Sequence, residues 1–390
     1  MYSQTCELKF RESISQQPSW SDHIKYDSVR KTLESKQPLV TQDECETLRE
    51  EIARVGDGHG FILQAGDCVE PLSEWDAESF TAKTDHLSSL SNKMKGITGS
   101  DILNIGRFAG QFGKPRSNSL ELVNGVELPV FRGEIVNAPA PSLEARKHDP
   151  TRMLIAYEYS KDAMEHLTNV RNGSRLGTWS SHEALILDYE HSLIRETLDG
   201  FLFLSSTHLP WIGDRTRDVN GPHVRFLSGI SNPVALKVGP SMFPSELVEL
   251  CNSLNPEHKP GRLVLIIRLG VNNASEHLEN LARAVKKAGH NPTWITDPVH
   301  GNTRKTTFGV KTRYMSDIVN EIRNFVKVLK VLKLHPGGLH IESTPFEVTE
   351  CVGLGVSEQD LLSPGYTTLC DPRLNPEQAD EIVRIFSTSI

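Results

Sequence analysis

Four residues of different chemistry fall in short, distinctive segments: Cys68 in QAGDCVE, His300 in DPVHGNT, Glu342 in LHIE and Asp371 in YTTLCDPRLN. A thiol, an imidazole and two carboxylates form a mixed donor set that suits Mn²⁺, Co²⁺, Fe²⁺ or Zn²⁺ and suits Mg²⁺ or Ca²⁺ poorly. A lone cysteine or histidine is more often structural than a ligand. These four become candidates for one metal centre because they lie at or just after the ends of apolar, β-rich runs. Asp297, three residues before His300, is placed to orient the imidazole, the usual arrangement around a metal-bound histidine.

Basic residues recur at similar positions. Arg107, Lys237 and Arg268 directly end apolar runs, and Arg215 lies in GDRTRD. Most lysines and arginines are surface groups, but an unpaired charge beside a buried strand is costly, which favours an anion site here. Arginine offers a planar fork for carboxylate or phosphate, and lysine a compact point charge. Lys114, Pro115, Arg116 and Ser117 in GQFGKPRSNSLE read either as a second phosphate cradle or as an exposed turn. Two anion sites flanking one metal suit a reaction between two phosphorylated substrates. His182 and Glu183 in SHEALILDYE stand where a strand gives way to a helix and serve equally well as caps or surface groups.

The elements that must position these residues alternate. Apolar runs cover Phe61 to Asp67, Ile102 to Arg107, Phe201 to Ser205, Pro233 to Lys237, Leu263 to Arg268, Pro292 to Asp297 and Leu339 to Glu342, with a weaker one near Leu176 to Ser181. Helical periodicity marks Ser245 to Asn252, Ala274 to Ala288 and Ser316 to Leu332. Alternating strand and helix implies a parallel sheet, and eight strands favour a closed (β/α)8 TIM barrel with its site at the C-terminal strand ends. Residues 1–55, with a helical patch at Gln42 to Val55, read as an N-terminal helical extension packed on a catalytic barrel spanning 56–390.

With 37% apolar and 24% charged residues, the 390-residue chain has the composition of a soluble globular protein. No apolar run approaches the roughly 18 residues of a membrane helix. A net charge of −8 argues against a nucleic-acid-binding surface. The N-terminus lacks the basic-then-apolar pattern of a secretory signal. Six scattered cysteines show no zinc-type CxxC pairing, so a reduced cytoplasmic setting is expected.

In this order QAGDCVE, GRFAGQFGKPRS, FRGEIVN, SHEALILDYE, SNPVALKVGP, DPVHGNT, GGLHIESTPFEVTEC and YTTLCDPRLN resemble the type II 3-deoxy-D-arabino-heptulosonate 7-phosphate (DAHP) synthases, from about residue 60 to the C-terminus. The resemblance implies a barrel that condenses phosphoenolpyruvate with erythrose 4-phosphate, the first step of the shikimate pathway. It implies Cys68, His300, Glu342 and Asp371 as ligands of a divalent ion, Mn²⁺ or Co²⁺, and Arg107, Arg215, Lys237 and Arg268 as the phosphoenolpyruvate site. It places Lys114, Pro115, Arg116 and Ser117 around erythrose 4-phosphate, and implies self-association. Cys68, Lys237, His300 and Asp214 are the expected catalytic groups.

Two departures stand out. Asp214 occupies a position where the family usually has Glu. Only Arg171 to Ser180 bridge a gap that holds an effector-binding helical pair in longer relatives, so the chain resembles the compact enzymes of secondary metabolism, such as phenazine pathways, and insensitivity to aromatic amino acids is expected. A related enzyme using an amino-sugar phosphate, and an inactive paralogue acting as a binding subunit, are the rival readings. Cys370, beside the candidate ligand Asp371, is expected near enough to Cys68 to pair with it on oxidation.

Overall fold

The computed structural model describes residues 14–72, 76–123, 125–171, 177–272 and 274–390. Eight parallel strands close into a barrel: β1 (Phe61–Gly66), β2 (Ile102–Arg107), β3 (Trp179–Glu183), β4 (Leu209–Ile212), β5 (Val234–Val238), β6 (Leu263–Ile267), β7 (Thr293–Thr296) and β8 (Pro336–Glu342). Neighbours in space are neighbours in sequence, and β8 closes on β1 with Leu63 opposite Leu339 and Gly66 opposite Glu342. The outer helices include Ala77–Thr98, Arg152–Arg171, Pro244–Leu254, Ala274–Lys287, Met315–Val331 and Pro376–Ser389.

One expected strand is corrected. The run at Phe201 to Ser205 contributes Leu202–Leu204 to a small antiparallel ribbon with Ile194–Glu196, and the barrel's fourth strand is LPWI. Phe201 and Leu202 are exposed, whereas all four residues of LPWI are buried. Pro210 lacks a ladder donor and so masked that strand in the sequence. The weaker expected run is β3, shifted to Trp179–Glu183, and Leu176 lies outside the described residues.

Alternation along each strand decides where the chemistry goes, because side chains two apart share a face. In the lower half of the barrel the inward positions are apolar: Ile62, Ile105, Trp179, Trp211, Ala235, Ile266 and Ile295 form one buried cluster. The floor is plugged by the N-terminal helix Gln42–Gly56, which places Leu48, Ile52 and Val55 in that cluster. Its start is fixed by a capping box between Thr41 and Glu44. Two residues further up the same faces stand Gln64, Arg107, Ser181, Lys237, Arg268, Asp297 and the pair His340 and Glu342. The outward-facing residues, among them Leu63, Leu236, Leu265 and Leu339, pack under the helices. The interior is thus an apolar plug below and a polar chamber above.

Candidate metal and phosphate site

Arg107 and Lys237 face each other across the upper barrel through His340. The Arg107 guanidinium donates to Glu342 Oε1 at 2.9 Å and to the Asp67 carbonyl at 3.2 Å, and its Nη1 lies 2.5 Å from His340 Nε2. The Lys237 ammonium pairs with Asp297 and lies 2.7 Å from the same His340 Nε2. Burial, then Lys237 and Arg107, push the His340 pKa well below its ordinary value, so the ring is neutral. With Nε2 accepting from the cations, Nδ1 donates to Gln64 Oε1 at 2.7 Å. Gln64 in turn donates to Ser181 Oγ at 2.8 Å, and Ser181 to the Gly106 carbonyl at 2.8 Å.

The other predicted anion-binding groups are held by contacts among the loops that follow the strands. Arg268 donates to Asp214 Oδ2 at 2.8 Å and to the His300 carbonyl at 3.2 Å, while Arg217 takes the second Asp214 oxygen at 2.9 Å. Asp214 is therefore an ion-pair partner that fixes Arg268. Arg215 reaches Ser117 Oγ at 3.0 Å, linking the β4 loop to the Lys114–Ser117 loop.

Three of the candidate ligands converge, and His300 meets them through Glu342 while grouping on its other side with Asp297 and His340. Cys68 Sγ and carboxylate oxygens of Glu342 and Asp371 lie within 4.8 Å of one another, and His300 Nε2 stands 2.8 Å from Glu342 Oε1. Asp297 Oδ2 lies 2.8 Å from His300 Nδ1, and its other oxygen accepts from the His300 backbone N–H at 3.1 Å. A compact cation is favoured at this place: the Lys114 ammonium lies 2.9 Å from Cys68 Sγ, 2.7 Å from Asp371 Oδ2 and 3.8 Å from Glu342 Oε1. Burial opposes ionisation of Glu342, but His300, Arg313, Lys114 and Arg107 hold its pKa well below the usual carboxylate range. Burial opposes it in Asp371 too, and Lys114 and Arg313 again win. Burial pushes the Cys68 thiol up, and Cys370 is its hydrogen-bond partner. Donor types, convergence and cation cradle all fit a borderline divalent ion, whose binding would release the thiol proton.

The Lys114–Ser117 loop is divided. Lys114 turns inward to the ligand set, Pro115 is half-buried, and Arg116 donates to Glu121 at 2.9 Å with its other arm 3.9 Å from Cys370 Sγ. Upstream, the buried Glu70 carboxylate fixes the start of this loop by accepting from the backbone N–H groups of Ala109, Gly110 and Gln111.

Sequence reasoning missed several residues of the chamber. His340 and Gln64 carry a readable signal, because each lies on the inward parity of its strand two residues from Glu342 or Gly66. Glu183 proves half-buried, with its Oε1 enclosed, rather than a surface cap. Burial raises its pKa, against the opposing pull of Lys114, Lys237, Arg215 and Arg107. Arg313 carries no such signal. It is fully buried, lies 2.7 Å from Glu342 Oε2, donates to Thr303 Oγ1 at 2.9 Å and bonds the Pro372 carbonyl, so one guanidinium joins the segments bearing His300, Glu342 and Asp371.

The chain matches the Class-II DAHP synthetase family over residues 6–175 and 168–387. It belongs to that family. A probable phospho-2-dehydro-3-deoxyheptonate aldolase from Pseudomonas fluorescens is 41% identical over 373 residues, covering 93% of this chain and 92% of the relative. A phospho-2-dehydro-3-deoxyheptonate aldolase from Streptomyces coelicolor is 36% identical over 416 residues, covering 94% and 92%. The solved structure of phospho-2-dehydro-3-deoxyheptonate aldolase from Francisella tularensis SCHU S4 matches with a TM-score of 0.57 at 16% identity, covering 94% of this chain and 96% of that one, and shows a shared fold. Class-II DAHP synthases are metal-dependent and catalyse the first step of the shikimate pathway.

Proposed function

We propose that this chain condenses phosphoenolpyruvate with erythrose 4-phosphate to give DAHP and phosphate. The observation that carries the reading is the juxtaposition, in one buried chamber, of the Arg107–Lys237 pair with the Cys68, His300, Glu342 and Asp371 donor set. Arg107, Lys237, Arg268 and Arg215 hold the carboxylate and phosphate of phosphoenolpyruvate, with Asp214 fixing Arg268. Arg116 and Ser117, at the chamber's mouth, hold the sugar phosphate, and Pro115 stiffens the loop between them and Lys114. Cys68, His300, Glu342 and Asp371 would hold a divalent ion, which when bound would supply Lewis-acid polarisation of the aldehyde oxygen. C3 of phosphoenolpyruvate attacks the aldehyde carbon, water adds at C2, and phosphate leaves by C–O cleavage. Positioning of two anions and electrostatic stabilisation by the surrounding cations supply most of the rate.

Mn²⁺ or Co²⁺ is the proposed metal, from the mixed donor set. A role in secondary metabolism is supported by the short span between the helix ending at Arg171 and β3 starting at Trp179, most of which lies outside the described residues. A reducing, cytoplasmic setting is supported by the unpaired state of Cys45, Cys68, Cys251, Cys351 and Cys370. Among the described residues, no helix is long and apolar enough to cross a membrane. Residues 1–55, of which 1–13 lie outside the described residues, are proposed as an extension of the barrel, and the enzyme as a homo-oligomer whose partners are small molecules and not nucleic acid.

The test is an assay of phosphoenolpyruvate consumption with a panel of aldose phosphates. Turnover with erythrose 4-phosphate, abolished by chelation and restored by Mn²⁺ or Co²⁺, is the expected result. Preference for an amino-sugar phosphate, or no turnover with any aldose, would overturn it. Arg116→Ala is expected to raise the apparent KM for erythrose 4-phosphate roughly 10- to 100-fold, the loss of one charged hydrogen bond of about 1.5 to 3 kcal/mol, while the KM for phosphoenolpyruvate changes little. Equal effects on both substrates would count against separate anion sites.

A further inference from the structure

Glu321 lies on the outer helix Met315–Val331, yet its carboxylate is buried against the loops that follow β6 and β7. Oε1 accepts from the backbone N–H groups of Leu269 and Gly270, both at 3.0 Å, and Oε2 accepts from the Asn302 side-chain amide at 2.6 Å. Asn302 is itself saturated: its Nδ2 also donates to the Pro298 carbonyl at 2.8 Å, and its Oδ1 accepts from Val271 N at 2.9 Å. A hydrogen-bonded bracket therefore spans both loops from behind.

The same two loops abut through glycine. Gly270 has φ +78°, and a Cβ there would stand 2.8 Å from the Gly301 carbonyl oxygen; a Cβ on Gly301 would stand 2.4 Å from Gly270 N. Close backbone approach of this kind needs residues without side chains. One loop begins with Arg268 and the other carries His300, and the Arg268 guanidinium donates to the His300 carbonyl at 3.2 Å.

We propose that Glu321, acting through Asn302, is a positioning residue that locks the phosphoenolpyruvate-binding Arg268 to the metal-binding His300, setting the distance between the phosphate of one substrate and the electrophilic centre. The inference rests on the function proposed above. A purely structural brace could sit anywhere along this helix. This one meets the two loops whose first functional residues serve the two reacting partners, Arg268 the phosphoenolpyruvate and His300 the metal.

The donor and acceptor pattern dictates the test. In Glu321→Gln, the amide oxygen still accepts from Leu269 and Gly270, but the amide nitrogen then opposes Asn302 Nδ2, donor against donor. In Asn302→Asp, two carboxylate oxygens face each other. In the double variant an amide again meets a carboxylate, and the remaining defect is at the Pro298 carbonyl, which loses its donor and faces a carboxylate oxygen instead. Each single variant, loaded with Mn²⁺, is expected to lose about tenfold or more in calorimetric affinity for phosphoenolpyruvate and in kcat/KM for that substrate. The KM for erythrose 4-phosphate should stay within about twofold, and the double variant should recover most of the loss.

A merely structural role would lower the active fraction, and hence kcat, and leave both KM values and the affinity of the folded protein unchanged. That outcome, or a double variant no better than the worse single one, would overturn the proposal. Should the single variants fail to fold, the double variant still decides: it must fold and bind phosphoenolpyruvate, and its failure to do either counts against the bracket. Wild-type protein that neither binds nor consumes phosphoenolpyruvate would sink the functional reading instead, so the two failures are distinct.

Discussion

A Glu342→Gln protein is expected to bind Mn²⁺ more than about 100-fold more weakly than wild type and to have no measurable condensing activity. Loss of a residue that merely orients a ligand already costs roughly 10- to 100-fold in metal affinity, and Glu342 is itself a proposed ligand. It is also the charge on which the chamber is balanced. His300 Nε2 and Arg107 Nη2 lie 2.8 and 2.9 Å from its Oε1, and Arg313 Nη2 lies 2.7 Å from its Oε2. Neutralising it leaves two fully buried guanidiniums without their carboxylate. Removing one member of a buried ion pair costs about 3 to 5 kcal/mol, so thermal stability should fall as well. Titration calorimetry of metal-stripped protein and a thermal melt check both parts. Wild-type Mn²⁺ affinity would rule out Glu342 as a ligand and leave it a structural counter-ion.

The barrel was legible because parallel strands followed by amphipathic helices leave two strong periodicities, and because an inward-facing cation or carboxylate ends most strands. Ile105–Arg107, Ala235–Lys237 and Ile295–Asp297 each show the same step from apolar floor to polar chamber. LPWI was hidden for a local reason: four residues with a central proline carry too little alternation to outweigh the more hydrophobic FLFLS beside them. His340 is masked in the sequence by Glu342, the charged residue that ends the strand, although the same parity places both inside. Arg313, Glu321 and Arg373 were beyond sequence reasoning. Each acts from a loop or an outer helix on a partner distant in sequence, as Arg373 does on Asp67 at 3.1 Å, and such contacts are set by tertiary packing. Asp214 pairs with both Arg268 and Arg217, which gives the shorter carboxylate a definite job.

Replacing Lys237 by Met is expected to lower kcat/KM for phosphoenolpyruvate roughly 30- to 3,000-fold, the range set by about 2 to 5 kcal/mol for truncating one partner of a buried, hydrogen-bonded charge pair. The pH dependence tells more. Burial lowers the Lys237 pKa from its ordinary value to about 8; Asp297 opposes that shift and Arg107 adds to it. Between about pH 8 and the ordinary lysine range, the unfolded chain binds a proton at this residue that the folded chain does not. Its contribution to stability therefore rises with pH across that window, and the cost of burying the charge is fully present below about pH 8. Activity moves the other way. Only the charged form holds an anion, so kcat/KM for phosphoenolpyruvate, which reports the free enzyme, should fall about tenfold per unit above roughly pH 8. Arginine stays protonated throughout, so a Lys237→Arg protein, even with a lower maximum because the fork fits this slot poorly, should lose that alkaline limb. The measurement is kcat/KM for phosphoenolpyruvate at saturating metal and erythrose 4-phosphate across the alkaline range. An unchanged limb in Lys237→Arg would assign the titration to another group and remove Lys237 as the residue that must stay charged.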